Sequence, residues 1–282
     1  MLDSLYSGQT IAFLTQHGKQ DVVAAVLEPN LGCHVQHVTG FDTDLLGSFT
    51  RDINRIGTQL DAARRKARKG MELSGLKLGL ASEGSFSTDP YTGMLPWNRE
   101  IMLLIDDVLG IEVVGMAQGS TVAGQLLSSD WHEVEGFVTK LGFPQQQLVL
   151  RPQSEHDARF VKGIADLDQL RQYFESMQTQ AENAKVFVEP DLRAFASPTR
   201  MQHIEEATQD LLQRLLSKCP DCSAPGYAVV RRQAGLPCEV CGTPSSTYMS
   251  EVFACVRCHH QQIKVREDKQ FADARHCPQC NP

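Results

Sequence analysis

The last quarter of this 282-residue chain carries four Cys-x-x-Cys pairs: Cys219/Cys222, Cys238/Cys241, Cys255/Cys258 and Cys277/Cys280. Each pair sets two thiolates on one tight turn, and two pairs complete the all-sulfur tetrahedron that closes around structural zinc. The intervals between pairs are 15, 13 and 18 residues, each right for a strand or hairpin between knuckles. Pro220, Gly242 and Pro278 lie in or beside the turns. Residues 219–282 hold few large apolar side chains, and a segment that short usually needs a metal or cross-links to fold.

Four disulfides would require an export signal. Residues 1–15 lack the basic-then-apolar layout of one, and Asp3 stands where a positive charge belongs. The sequence therefore predicts a cytoplasmic protein with reduced thiols and two structural Zn2+ ions bound by all eight cysteines. Two pairings fit equally well: neighbouring pairs together, or a nested scheme of second with third and first with fourth. His259 and His260 are read as surface residues, since the cysteines already suffice.

Charge bears on the partners of this module. Residues 219–282 contain seven Lys or Arg and six Asp or Glu. Two Zn2+ with eight thiolates contribute −4, which leaves the module net negative. That argues against nucleic acid, whose affinity rests on neutralising phosphates, and leaves structure or a protein partner as its role. The whole chain has a formal net charge of −7 and a pI near 5.7, so no broad basic footprint exists. No apolar run approaches the ~20 residues of a membrane span.

Upstream, 41% hydrophobic residues suffice for a real core. Strand-like runs at 9–15, 33–38, 77–82, 100–106, 111–118, 147–150 and 185–188 alternate with helical patterns at 18–27, 55–72, 131–141 and 166–181. Pro29 and Gly32 are expected to stop the first helix. Ser197-Pro198 opens a last helix that runs straight into Cys219. The reading is an α/β fold with a mixed, mostly parallel sheet flanked by helices, followed by a zinc-ribbon-like module. Its expected parts are an α/β domain over 1–196, a connecting helix over 197–218 and the zinc module over 219–282.

Polar residues cluster where strands end. Thr15, His17 and Lys19 span the first strand-to-helix turn, a place where backbone N–H groups and a lysine meet a phosphate. Asp42 and Asp44 follow the second strand. Ser82-Glu83-Gly84-Ser85 ends the third, where the Glu83 carboxylate could hold Mg2+ bridging substrate phosphates. Arg64 or Lys66 could point toward a polyphosphate. Arg193 and Arg200, with Glu189 and Asp191, form a further charged group that offers phosphate contacts or a salt-bridge network. Cys33 reads as a small core residue, and His132, His156 and His203 as structural.

Over nearly its full length the chain resembles an uncharacterised bacterial family that joins an α/β domain to a double zinc-knuckle tail. LTQHGK, GFDTDLLGSFTRDINRIGTQLDAARRKARKGM, LGLASEGSF, the PTRM helix and the closing CPQCNP carry that likeness. It implies architecture and no activity. More distantly, residues 9–118 are similar in their order of parts to the inosine/xanthosine triphosphate pyrophosphatase superfamily. That resemblance implies Mg2+-assisted hydrolysis of a nucleotide's α–β phosphate linkage. Glu83 with Asp42 or Asp44 would position metal and water, and Lys19 would steady the phosphates. Here His17 replaces the superfamily's Asn, and Lys19 comes one residue early. The sequence thus leaves two functions to weigh: a Mg-dependent hydrolase of nucleoside triphosphates or related phosphate esters, and a non-catalytic zinc-ribbon adaptor binding a protein or, through a local patch such as Arg231-Arg232, a nucleic-acid partner.

Overall fold

The computed structural model describes residues 4–16, 18–41 and 57–282. His17, Asp42 and Asp44 therefore lie outside the described residues. The chain opens with β1 (Thr10–Leu14), whose Ile11, Ala12, Phe13 and Leu14 are all buried. Apolar side chains on both faces fit a strand covered by helices on both sides. Helix α1 (Lys19–Leu31) follows, then β2 (His34–Val38), parallel to β1. Contrary to the expected stop, α1 continues through Pro29 and ends at Gly32, whose φ of 67° suits a glycine cap. The ring removes one helical N–H near the end of the helix. Val23, Leu27 and Leu31 hold the turns on both sides of it against the core.

Helix α2 (Gln59–Ser74) starts in a capping box, with Thr58 and Asp61 satisfying each other's backbone N–H groups. It leads to β3 (Leu78–Thr88), which lies parallel to β1 on the side away from β2. Two hairpins add β4 (Pro96–Asp106) and β5 (Ile111–Ser120), giving the order β2-β1-β3-β4-β5. The sheet is thus mixed, with helices on both faces. Helix α1 shares an apolar core with Ile11, Phe13, Leu80 and Met102, whereas Ala63, Ala67 and Met71 of α2 pack on Ala81, Ile101 and Leu103 across the sheet.

A second sheet, absent from the sequence reading, stands between β5 and the last helix. It contains β6 (Leu126–Ser128), β7 (Leu148–Pro152), β8 (Val161–Ile164) and β9 (Val186–Pro190), in the order β6-β9-β7-β8 and antiparallel throughout. Helices α3 (Trp131–Leu141) and α4 (Leu167–Gln180) complete its own core through Val134, Val138, Leu170 and Phe174. The chain then returns through α5 (Pro198–Leu216) to the first sheet. Expected as a connector, α5 instead buries Ile204, Ala207, Leu211 and Leu215 in the core beside α1. Its backbone lies so near β5 that a Cβ on Gly115 would come within 2.3 Å of the Ala207 carbonyl oxygen. Among the described residues, no helix is long and apolar enough to cross a membrane.

The tail is a three-stranded antiparallel meander of β10 (Ala228–Ala234), β11 (Tyr248–Ala254) and β12 (Gln261–Val265), with β11 central.

Candidate functional site

The knuckles are built alike. In each, the N–H of the residue after the second cysteine donates to the carbonyl of the first: Ser223 to Cys219, Gly242 to Cys238, His259 to Cys255 and Asn281 to Cys277. Ser223, Gly242 and His259 have φ of 59°, 71° and 61°, the left-handed turn that reverses the chain after the first three pairs. Backbone N–H groups also point at sulfur, as from Val240 to Cys238 at 3.4 Å and from Arg257 to Cys255 at 3.4 Å. Such donors favour thiolate over thiol. The Thr243 hydroxyl and N–H hold the Cys241 thiol down to about 6. Burial alone would raise Cys255, but the N–H groups of Cys258 and Arg257 outweigh it and bring it to about 7.

The pairing is neither of the two expected. Cys219, Cys222, Cys255 and Cys258 form one quartet, and Cys238, Cys241, Cys277 and Cys280 the other. First joins third and second joins fourth, so the two sites interleave. Strand register explains this. Ala228, at the start of β10, lies opposite Ala254 at the end of β11, which brings the first knuckle beside the third. Ala234 lies opposite Tyr248 at the other end, where the second knuckle sits. Strand β12 runs back from Gln261, opposite Ala254, toward that same end, and the chain delivers the fourth knuckle there. One strand per interval moves each successive knuckle to the opposite end of the sheet.

All eight sulfurs are free thiols. Close Sγ–Sγ separations are 3.7 Å for Cys219–Cys258, 3.6 Å for Cys222–Cys255, 3.9 Å for Cys238–Cys280 and 3.5 Å for Cys241–Cys277. A tetrahedral ion about 2.3 Å from each sulfur sets its ligands about 3.8 Å apart, so both quartets fit a four-thiolate metal ion. Disulfides, at about 2.05 Å, do not fit.

A second concentration of polar side chains is buried in the α/β body. Chain order makes β1 a branch point: α1 leads from it to β2 on one side, and α2 leads back across to β3 on the other. In open α/β sheets, the crevice at the carboxyl ends of such strands is where ligands bind. Strand β3 runs on past the end of β1, and Ser82, Glu83 and Gly84 lie on that overhang. The Lys19 ammonium, at the start of α1, donates to Ser82 Oγ at 2.9 Å. Lys66 of α2 pairs with Glu83 at 2.5 Å. Arg200 of α5 donates through Nε to Glu100 Oε1 at 2.8 Å, and Asn98 donates to the same oxygen at 3.0 Å. His203 Nδ1 meets Asn98 Oδ1 at 2.9 Å, so that nitrogen carries the proton.

Glu100 is fully buried, yet its Oε2 has no hydrogen-bond partner among the described residues. Gly84 leaves room for this arrangement, because a Cβ there would lie 2.1 Å from Glu100 Oε1. Burial, reinforced by the Arg200 guanidinium, lowers the Lys19 ammonium from 10.5 to about 7. Glu100 and Glu83 oppose that shift and Lys66 adds to it.

The fold therefore brings Lys19, Glu83 and Arg200 to one place. Thr15 is buried at the end of β1, and its hydroxyl donates to the adjacent Gln16 carbonyl. Arg193 stands apart, clamped on Asp191. Cys33 lies in the main core, where burial pushes its thiol up to about 11. Sequence reasoning passed over Glu100 and Asn98. Their signal was two polar residues at period two entering the apolar run of β4, which puts both on the α5 face.

The Glu83 carboxylate is paired with Lys66, and the described residues give no support to the Mg2+ expected there with Asp42 or Asp44, which lie outside them. Among the described residues, only the two cysteine quartets gather three or more potential metal ligands.

Residues 66–282 match the family described as Domain of unknown function (DUF6671). The chain belongs to that family. The match begins inside α2 and spans the rest of the first sheet, the second sheet and both cysteine quartets. No curated protein and no solved structure matches the chain. The likeness to the triphosphate pyrophosphatase superfamily finds no support.

Proposed function

We propose that the two cysteine quartets hold structural Zn2+ and that the α/β body binds a small phosphate ester, nucleoside triphosphates included, at the branch point of its sheet. For zinc, the support is the donor set: four thiolates at tetrahedral spacing leave no open position for a substrate. Metal analysis of protein purified without chelator tests this, with two zinc per chain expected. Iron in place of zinc would contradict it.

For the ligand, the observation that carries the reading is the group of buried Lys19 and Arg200 with half-buried Lys66, set among the described residues against Glu83 and Glu100. Among the described residues one basic group is in excess, Lys19, and it stands at the start of a helix, where an anion is favoured and would hold the ammonium protonated. The unpartnered Glu100 Oε2 calls for a hydrogen-bond donor, so the ligand combines an anionic group with a hydroxyl or amine. Hydrolysis of such an ester is the finer form of the proposal. A panel of nucleoside triphosphates and sugar phosphates, read by calorimetry and product release, tests both. Binding lost in Lys19→Ala and kept in Arg193→Ala is expected. No heat from any member of the panel would end the ligand reading.

The adaptor reading draws on a different surface. Tyr248 lies between the guanidinium groups of Arg232 and Arg266, 4.7 and 4.3 Å from its ring. Val230, Ile263 and Val265 are exposed on the same small sheet. Capture of one protein partner by the full chain, lost on Tyr248→Ala, would support it.

A further inference from the structure

The geometry points to Ser82 as a nucleophile, with Lys19 as the base that takes its proton. The substrate class rests on the phosphate-ester reading above; the pairing of the two side chains does not. Three observations carry the inference. The Lys19 ammonium has one hydrogen-bond partner among the described residues, Ser82 Oγ at 2.9 Å, while the nearby carboxylates of Glu83 and Glu100 are bonded to Lys66 and to Arg200. Both members of the pair are almost fully buried, Lys19 at 6% and Ser82 at 4% exposure. They also lie at the end of β1 and on the overhang of β3, where the fold expects a ligand.

A structural lysine would be expected to bond a carboxylate, the arrangement that compensates a buried ammonium. Here the charges that face Lys19 are Arg200 from α5, Glu100 from β4, Lys66 from α2 and Glu83 from β3. Burial and the two cations favour its neutral amine, and a neutral amine beside a hydroxyl is a base in position. Lysine fills this role for serine in some hydrolases built without a histidine.

In the first step, Ser82 Oγ gives its proton to the neutral Lys19 Nζ and attacks phosphorus. The Oγ–P bond forms as the bond from phosphorus to the leaving oxygen breaks, and Lys19 returns the proton to that oxygen. Water then attacks the phosphoseryl group and gives a proton to Lys19. The P–Oγ bond breaks, Lys19 protonates Oγ, and phosphate leaves. No metal and no redox partner is needed.

The test uses the full, metal-loaded chain and a small fluorophosphonate, with the adduct located by peptide mass spectrometry. An adduct on Ser82 is expected, forming about tenfold faster at pH 8 than at pH 6 as Lys19 loses its proton near 7. Lys19→Arg keeps the positive charge but is no base. It should retain calorimetric binding of pyrophosphate and lose the adduct, with metal content as in the wild type. Pyrophosphate binding without a Ser82 adduct at either pH would overturn the nucleophile and leave the ligand site standing. An adduct without pyrophosphate binding would overturn the phosphate reading instead. Equal adduct rates in wild type and Lys19→Arg would remove Lys19 as the base.

Discussion

The body and the tail of this chain reach a fixed fold by different physics. In the body, two sheets are each covered by helices, and side chains such as Phe13, Leu27, Leu80, Met102 and Leu211 are withdrawn from water almost completely. The tail has one small apolar cluster, of Ala224, Tyr227 and Phe253 with Cys219, Cys222 and Cys255, while Val230, Ile263 and Val265 stay exposed. Its order comes from sulfur placed by backbone turns. The difference implies that the two regions answer to different perturbations, although α5 joins them: the Gly226 N–H donates to the Arg214 carbonyl, and the Ser217 hydroxyl to that of Tyr227.

The largest expected effect is that of metal removal. Structural zinc contributes about 10–16 kcal/mol per site in small zinc domains, more than a 64-residue tail can replace by burial. A strong chelator should expose amides in 219–282 to hydrogen exchange while β1, β3 and β4 stay protected. Equal loss of protection in both regions would break the contrast.

The converse perturbation is a cavity in the body. Leu211 is fully buried between α5 and the first sheet, and Leu211→Ala should cost about 2–5 kcal/mol in denaturant unfolding with metal content unchanged. A smaller difference should separate the quartets themselves. Cys241 and Cys280 of the second are exposed, whereas in the first Cys258 alone is exposed and Cys222 is half-buried beside Tyr227. Chelator should therefore strip the second quartet several-fold faster, read by mass spectrometry of the intermediate with one metal.

The smallest effect concerns pH. Lys19 titrates at about 7 in the folded chain against 10.5 ordinarily, so between those values the unfolded chain binds the extra proton. Stability from this group is lowest below pH 7 and rises with pH above it, by at most about 1.4 kcal/mol per unit. Wild type should gain on Lys19→Met between pH 7 and 9 in urea titrations. A constant difference would show that the lysine is not held neutral.

Much of this was legible in the sequence where local chemistry decides. The spacing of Leu60, Ala63, Ala67 and Met71 marked α2, and the Cys-x-x-Cys pairs marked all eight thiolates. What stayed hidden was set by pairing over distance. The interleaved quartets follow from one strand per interval, whereas a hairpin would return the chain to the same end of the sheet; interval length alone allowed both. Helix α5 read as a linker because its apolar face is visible but its partners, α1 and β5, are about 90 residues or more upstream. Glu83 read as a free carboxylate because the helical spacing of Lys66 does not reveal that its side chain reaches across to β3.

Interleaving is the feature on which the tail's fold depends, and metal counting on one double variant tests it. Cys222→Ser with Cys255→Ser removes two ligands from a single quartet as the structure pairs them, so native mass spectrometry should find one metal ion retained at Cys238, Cys241, Cys277 and Cys280. Under either neighbouring or nested pairing those two cysteines belong to different sites. Loss of both ions from that variant would contradict the account.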